Sequence, residues 1–172
     1  QAEFNTGVYH AFNWRGFLDF GAGAFGDMAC HTMNLPFRGL ELGKVLNAEC
    51  TQIEEMNNVA YPTKSTVKLT YAARESKVRP GVKLPEVTLY WYDGDQQKDG
   101  DKKLADLMPS VVAMDQYKGK VPRTGCLIVG TKGILCSCAD YGQDAFFALN
   151  GEKVAKNTRD HEACKAVPTT IA

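Results

Sequence analysis

Alternation is the clearest pattern in this chain. Thr66, Lys68 and Thr70 interleave with Val67, Leu69 and Tyr71, and a period of two puts each set on its own face of a half-buried strand. Val87 to Tyr92 reads VTLYWY and runs into Asp93-Gly94. That is a run rich in β-branched and aromatic residues ending in a turn pair, which predicts a second strand. Leu46 to Ile53 predicts a third. Arg74 to Pro85, which contains Pro80-Gly81, reads as a long polar hairpin connection. Cys126–Val129 and Ile134–Cys138 flank Gly130-Thr131-Lys132-Gly133, a hairpin signal, and Phe146–Leu149 followed by Asn150-Gly151 gives another.

The first 43 residues lack this period. Tyr9, Phe12, Trp14, Phe17, Phe20 and Phe25 crowd among Gly16, Gly21, Gly23 and Gly26, and so many aromatics need burial or a ligand. Ala24 to Leu35 predicts a helix. Pro36 should end or kink it, with a second piece reaching Gly43 as its C-terminal cap. Arg159 to Val167 predicts a short helix, and Gln96 to Lys103 a charged, solvated loop. Strands with short connections pair antiparallel. The expected class is therefore α+β: a mostly antiparallel open sheet with helices packed on one face.

Composition narrows the function classes. At 172 residues the chain can bury ~70 % of its unfolded surface, enough for one domain spanning 1–172. Twenty basic and twenty acidic side chains cancel, so neither nucleic acid nor an anionic membrane is expected as a partner. No apolar run approaches the ~20 residues of a membrane span. Six cysteines are too few for a disulfide scaffold at this length. Cys136-x-Cys138 lacks the C-x-x-C or paired-histidine spacing of a metal site, so no metal is expected.

Gly21-Ala22-Gly23-Ala24-Phe25-Gly26 matches G-x-G-x-x-G, and Glu49 lies near the spacing of a ribose-binding acid. The context argues against a dinucleotide loop. Trp14 to Phe20 is not the buried β-branched strand such a unit needs. Asp27, expected in the first helical turn, would occupy the positive helix end that a pyrophosphate requires. The glycines are better read as permitting a tight turn and close backbone packing.

Asp27 and His31 are four residues apart on the predicted helix, which sets their Cβ atoms about 5–6 Å apart on one face. Asn34 extends that stripe, and Phe25, Met28 and Leu35 supply an apolar side. An imidazole can take or return a proton near neutral pH. An aspartate one turn away can fix its tautomer or bind a substrate hydroxyl. The alternative is a surface i, i+4 pair worth only about 0.2–0.5 kcal/mol. His10 and His161 have no comparable neighbour.

The stretch Phe12–His31, FNWRGFLDFGAGAFGDMACH, resembles the glucose–fructose oxidoreductase / inositol dehydrogenase / MocA family. Bacterial dehydrogenases of that family carry W-R-G-W-W-D-F-G-T-G-A-L-G-D-M-A-C-H in their C-terminal domain. Leu35-Pro36-Phe37 to Gly43 is similar to the family's continuation of this helix. Leu89–Gly94 resembles its W-Y-D-G strand end, and Leu127–Gly133 its V-G-x-K-G hairpin. The resemblance is diffuse from Asp95 to Arg123.

It implies a C-terminal α+β domain carrying the substrate site and the oligomer interface. On this reading the N-terminal Rossmann domain, with its own glycine fingerprint and an E-K-P-type lysine, is absent from the chain. The family's D-x-x-x-H falls on Asp27 and His31. The intact enzyme would transfer hydride between NAD or NADP and a secondary alcohol of a sugar or polyol, and no cofactor is expected on this chain alone. Trp14 and Arg15 would line the site's mouth, and Asn34, Tyr92 and Asp93 would approach substrate. A homo-oligomer formed through the sheet face is implied. Cytoplasmic and exported locations both stay open, any export signal being expected upstream of Gln1. Two alternatives remain: a carbohydrate-binding or oligomerisation module without catalysis, or an NAD-assisted glycoside lyase or hydrolase.

Overall fold

A computed structural model of the chain describes residues 10–94, 124–142, 145–149 and 152–153. The chain divides into two compact units, one from the described parts of 1–30 and 37–96, the other from those of 31–36 and 97–172. The elements are helices and antiparallel open sheets, a mixed α+β architecture.

The first unit is built on a three-stranded sheet. Strands β1 (Val45–Glu54), β2 (Lys64–Tyr71) and β5 (Val87–Asp93) lie in the order β1-β2-β5, all antiparallel. The register sets Val67 opposite Trp91, Leu69 opposite Leu89 and Tyr71 opposite Val87. Directly paired residues share a face, so these six form one apolar side. Helix α1 (Gly23–Thr32) meets it through Phe25, whose ring is edge-on to Trp91 at 5.5 Å. Helix α2 (Asn34–Gly39) meets it through Phe37, edge-on to Tyr71 at 6.4 Å. Both helices therefore sit on one face of the sheet. Leu42, Leu69 and Tyr71 are this unit's buried apolar residues. All ten residues of β1 are exposed.

Two expectations are corrected here. The helix does not run from Ala24 to Leu35; α1 ends at Thr32 and α2 starts at Asn34. Pro36 is the cause: it lacks an N–H, and its ring would collide with the carbonyl four residues earlier, that of Thr32. In the first turn of α2 the missing donor costs nothing. Nor is Gly43 the cap. The residue in left-handed conformation after α2 is Glu41, at φ 52°, stabilised by two flanking contacts. Arg74 donates to the carbonyls of Leu40, Glu41 and Pro85. The Glu41 carboxylate accepts from the Ser76 hydroxyl at 2.6 Å and the Lys77 amide at 2.5 Å. These bonds tie the end of α2 to a small ribbon, β3 (Arg74–Glu75) with β4 (Lys83–Leu84), inside the expected long connection.

The second unit holds a four-stranded antiparallel meander of β6 (Cys126–Gly130), β7 (Gly133–Ser137), β8 (Phe146–Leu149) and β9 (Glu152–Lys153). Gly130 pairs with Gly133 around Thr131-Lys132, so the first hairpin forms where the glycines signal it. The β8–β9 pairing matches the second signal. Cys136 and Ala145 are buried. The expected helix Arg159–Val167 and loop Gln96–Lys103 lie outside the described residues, as does Tyr9.

Candidate functional site

The aromatic segment before α1 folds as a 3₁₀ helix, Ala11–Gly16, capped by His10, whose Nδ1 accepts from the Phe12 amide. Backbone bonds then anchor its exit. Leu18 N–H donates to Val59 O and Tyr61 N–H to Gly16 O, both at 2.9 Å. The loop they reach is itself shaped by Asn57, whose side-chain oxygen accepts from the amides of Val59 and Ala60.

This anchoring places Arg15 beside α1, where its guanidinium forms an ion pair with the Asp27 carboxylate through Oδ2. The same guanidinium lies 4.0 Å from the centre of the Phe12 ring, and Arg15 Nε donates to Phe12 O at 3.0 Å. Arg15 and Asp27 are each about one-third exposed. A pair this open is worth ~0–1 kcal/mol, so it contributes little to holding the fold. Asp27 Oδ1 accepts no hydrogen bond among the described residues.

The glycine motif serves this arrangement. A Cβ on Gly21 would collide with the Arg15 backbone, and one on Gly23 would come within 2.8 Å of the Tyr61 ring. Gly23 also has φ 68°, a conformation that costs other residues ~1–3 kcal/mol. Both glycines therefore pack against their own chain, where a side chain has no room. A 3₁₀ helix, not a strand, precedes it. One part of the sequence argument is corrected: α1 starts at Gly23, so Asp27 lies beyond the first turn rather than at the positive helix end.

The other site candidates divide. His31 is one turn beyond Asp27 on α1, in the helix's last turn. Its ring is edge-on to Tyr141 at 4.9 Å. Asn34 is exposed but opens α2 instead of continuing the stripe of α1, because of the break at Met33. Trp14 is half-exposed, with its ring 6.4 Å from Phe20. Asp93 accepts from the Ser65 amide at 2.7 Å, the Ser65 hydroxyl at 2.8 Å and Trp91 Nε1 at 2.8 Å, bridging β2 and β5. Tyr92 follows Trp91 on β5 and so points to the face away from α1. Of these candidates, Arg15 is the one shown in contact with Asp27.

Sequence reasoning missed the Arg15–Asp27 pairing and the place of Tyr141. The first had a signal in the short separation of opposite charges around a glycine turn. The second had none, since Tyr141 is distant in sequence. Among the described residues no cluster of three or more His, Cys, Asp or Glu could hold a metal. No helix among them is long and apolar enough to cross a membrane. No protein-family model matches the chain, and no curated protein matches it.

Proposed function

We propose that the chain is the substrate half of a nicotinamide-dependent oxidoreductase of the glucose–fructose oxidoreductase / inositol dehydrogenase / MocA family, acting on a secondary alcohol of a sugar or polyol. The observation that carries this is the open cluster at α1. Phe12, Trp14 and Phe20 are 65 %, 51 % and 66 % exposed, beside an Arg15–Asp27 pair that is itself about one-third exposed. Exposed aromatics beside a charged pair suit a polyhydroxylated ligand or a second domain closing over it. The family resemblance lies in the same residues.

In this reading Asp27 binds a substrate hydroxyl through Oδ1 while Arg15 holds Oδ2, and His31, one helical turn on, accepts the hydroxyl proton as the alcohol is oxidised. NAD or NADP supplies the hydride acceptor. Its binding is assigned to a separate dinucleotide-binding domain, as the family resemblance implies. Self-association through the sheet belongs to the same proposal.

Two measurements test it. His31→Ala in the full enzyme should lower kcat about 10²-fold or more, the usual cost of losing a general acid–base; unchanged turnover would reduce the residue to a packing role. The chain alone should show no saturable quenching in a fluorescence titration with NADH. Saturation would return the dinucleotide to the glycine loop.

A further inference from the structure

Strand β7 ends at Ser137, and the chain then leaves extended geometry. At this point the Sγ atoms of Cys136 and Cys138 are 3.4 Å apart. Residues two apart on a strand point to the same side but are normally splayed; here the end of the strand lets the two thiols touch. A disulfide is about 2.0 Å long, so closure needs an approach of about 1.4 Å. Cys136 is only 2 % exposed, and Cys138 is partly open to solvent. Cys126 is opposite Ser137 in the β6–β7 register, so alternation turns its side chain to the other face. Among the described residues no group of three such side chains could hold a metal, so Cys126 does not complete a three-sulfur site with the pair.

We propose that Cys136 and Cys138 are a reversible dithiol–disulfide pair, oxidised by small-molecule disulfides of the glutathione type. The more open Cys138 thiolate attacks the reagent RSSR, forming a mixed disulfide and releasing RS⁻. The Cys136 thiolate then attacks Cys138 Sγ, forming the internal bond and expelling the second RS⁻. The two thiol protons pass to the two released thiolates. Two electrons leave the pair, and RSSR becomes two RSH.

The surroundings set the pace. The hydrogen bond with Cys138, then burial, raise Cys136 far above the usual thiol range, and burial pushes Cys126 up to about 11. Cys136 is therefore the resolving thiol, and exchange should accelerate as pH rises.

Trypsin isolates the pair. Gly133–Lys153 contains Cys136 and Cys138 and no other cysteine, and Thr124–Lys132 carries Cys126. The full chain is incubated with oxidised glutathione at mildly alkaline pH, alkylated in denaturant and digested. The Gly133–Lys153 peptide should lose two hydrogens and carry no alkyl group, and dithiothreitol should restore two alkylatable thiols. Cys136→Ser should trap one glutathione on Cys138. The proposal is overturned if the wild-type peptide stays doubly alkylated, carries two glutathiones, or is cross-linked to Thr124–Lys132. An unmodified Cys138 in Cys136→Ser would overturn the order of attack; the wild-type peptide is read independently of how that variant folds.

Discussion

The Thr66 hydroxyl shows how a single atom can work against its own strand. Thr66 is buried at the centre of the sheet, and its Oγ1 has no partner among the described residues. A buried hydroxyl without a hydrogen bond costs ~1–3 kcal/mol, while the β-branched shape suits the strand. Thr66→Val keeps that shape and removes the orphan. It should leave stability unchanged or raise it by about 1 kcal/mol, read as an increase in the denaturation midpoint; a loss of that size would show the hydroxyl to be engaged. The sequence announced Thr66 only as the polar member of an alternating pair, because burial of an outward residue depends on neighbouring strands. Asp93 makes the same point. Its position at a strand end was legible, but its cross-strand bonds to Ser65 required the β2–β5 register.

At the scale of elements, the sharpest disagreement is the helix, and local chemistry explains it. Pro36 was visible, and its effect reaches four residues back to end α1 at Thr32. The stop after α2 was not visible, because it depends on Arg74 and Ser76 arriving from a ribbon well downstream. That stop should respond to pH. The Ser76 hydroxyl, then the Lys77 amide, hold the Glu41 carboxyl below its usual value of 4.5. A carboxyl lowered on folding stabilises the native state above its unfolded value and stops doing so as pH falls through the folded one. Acid titration of the wild type should therefore show stability falling as pH drops below about 4.5. Glu41→Gln should flatten that part of the curve in urea melts at stepped pH, and parallel curves would remove the assignment.

For the whole molecule, the exposed strand matters most. Every residue of β1 is open to solvent, including Val45, Leu46 and Ile53. Its outer edge pairs with no described strand. An edge of ten residues bearing apolar side chains is a template for pairing. Under the proposed function a second copy covers it. Sedimentation velocity should show a dimer or larger species, and Ile53→Lys should weaken association at least tenfold. A wild-type monomer at high concentration would sink this part of the proposal. The sequence by itself determined the strands β1, β2 and β5, the β6–β7 hairpin, and the placing of Asp27 and His31 one turn apart, because these follow from periods of two and 3.6 and from turn chemistry within a few residues. Only the tertiary structure decided that Arg15 takes Asp27, that Tyr141 lies against His31, and that two thiols touch at a strand end. Those outcomes depend on contacts between residues far apart or on where a strand stops, and local sequence patterns do not carry that information.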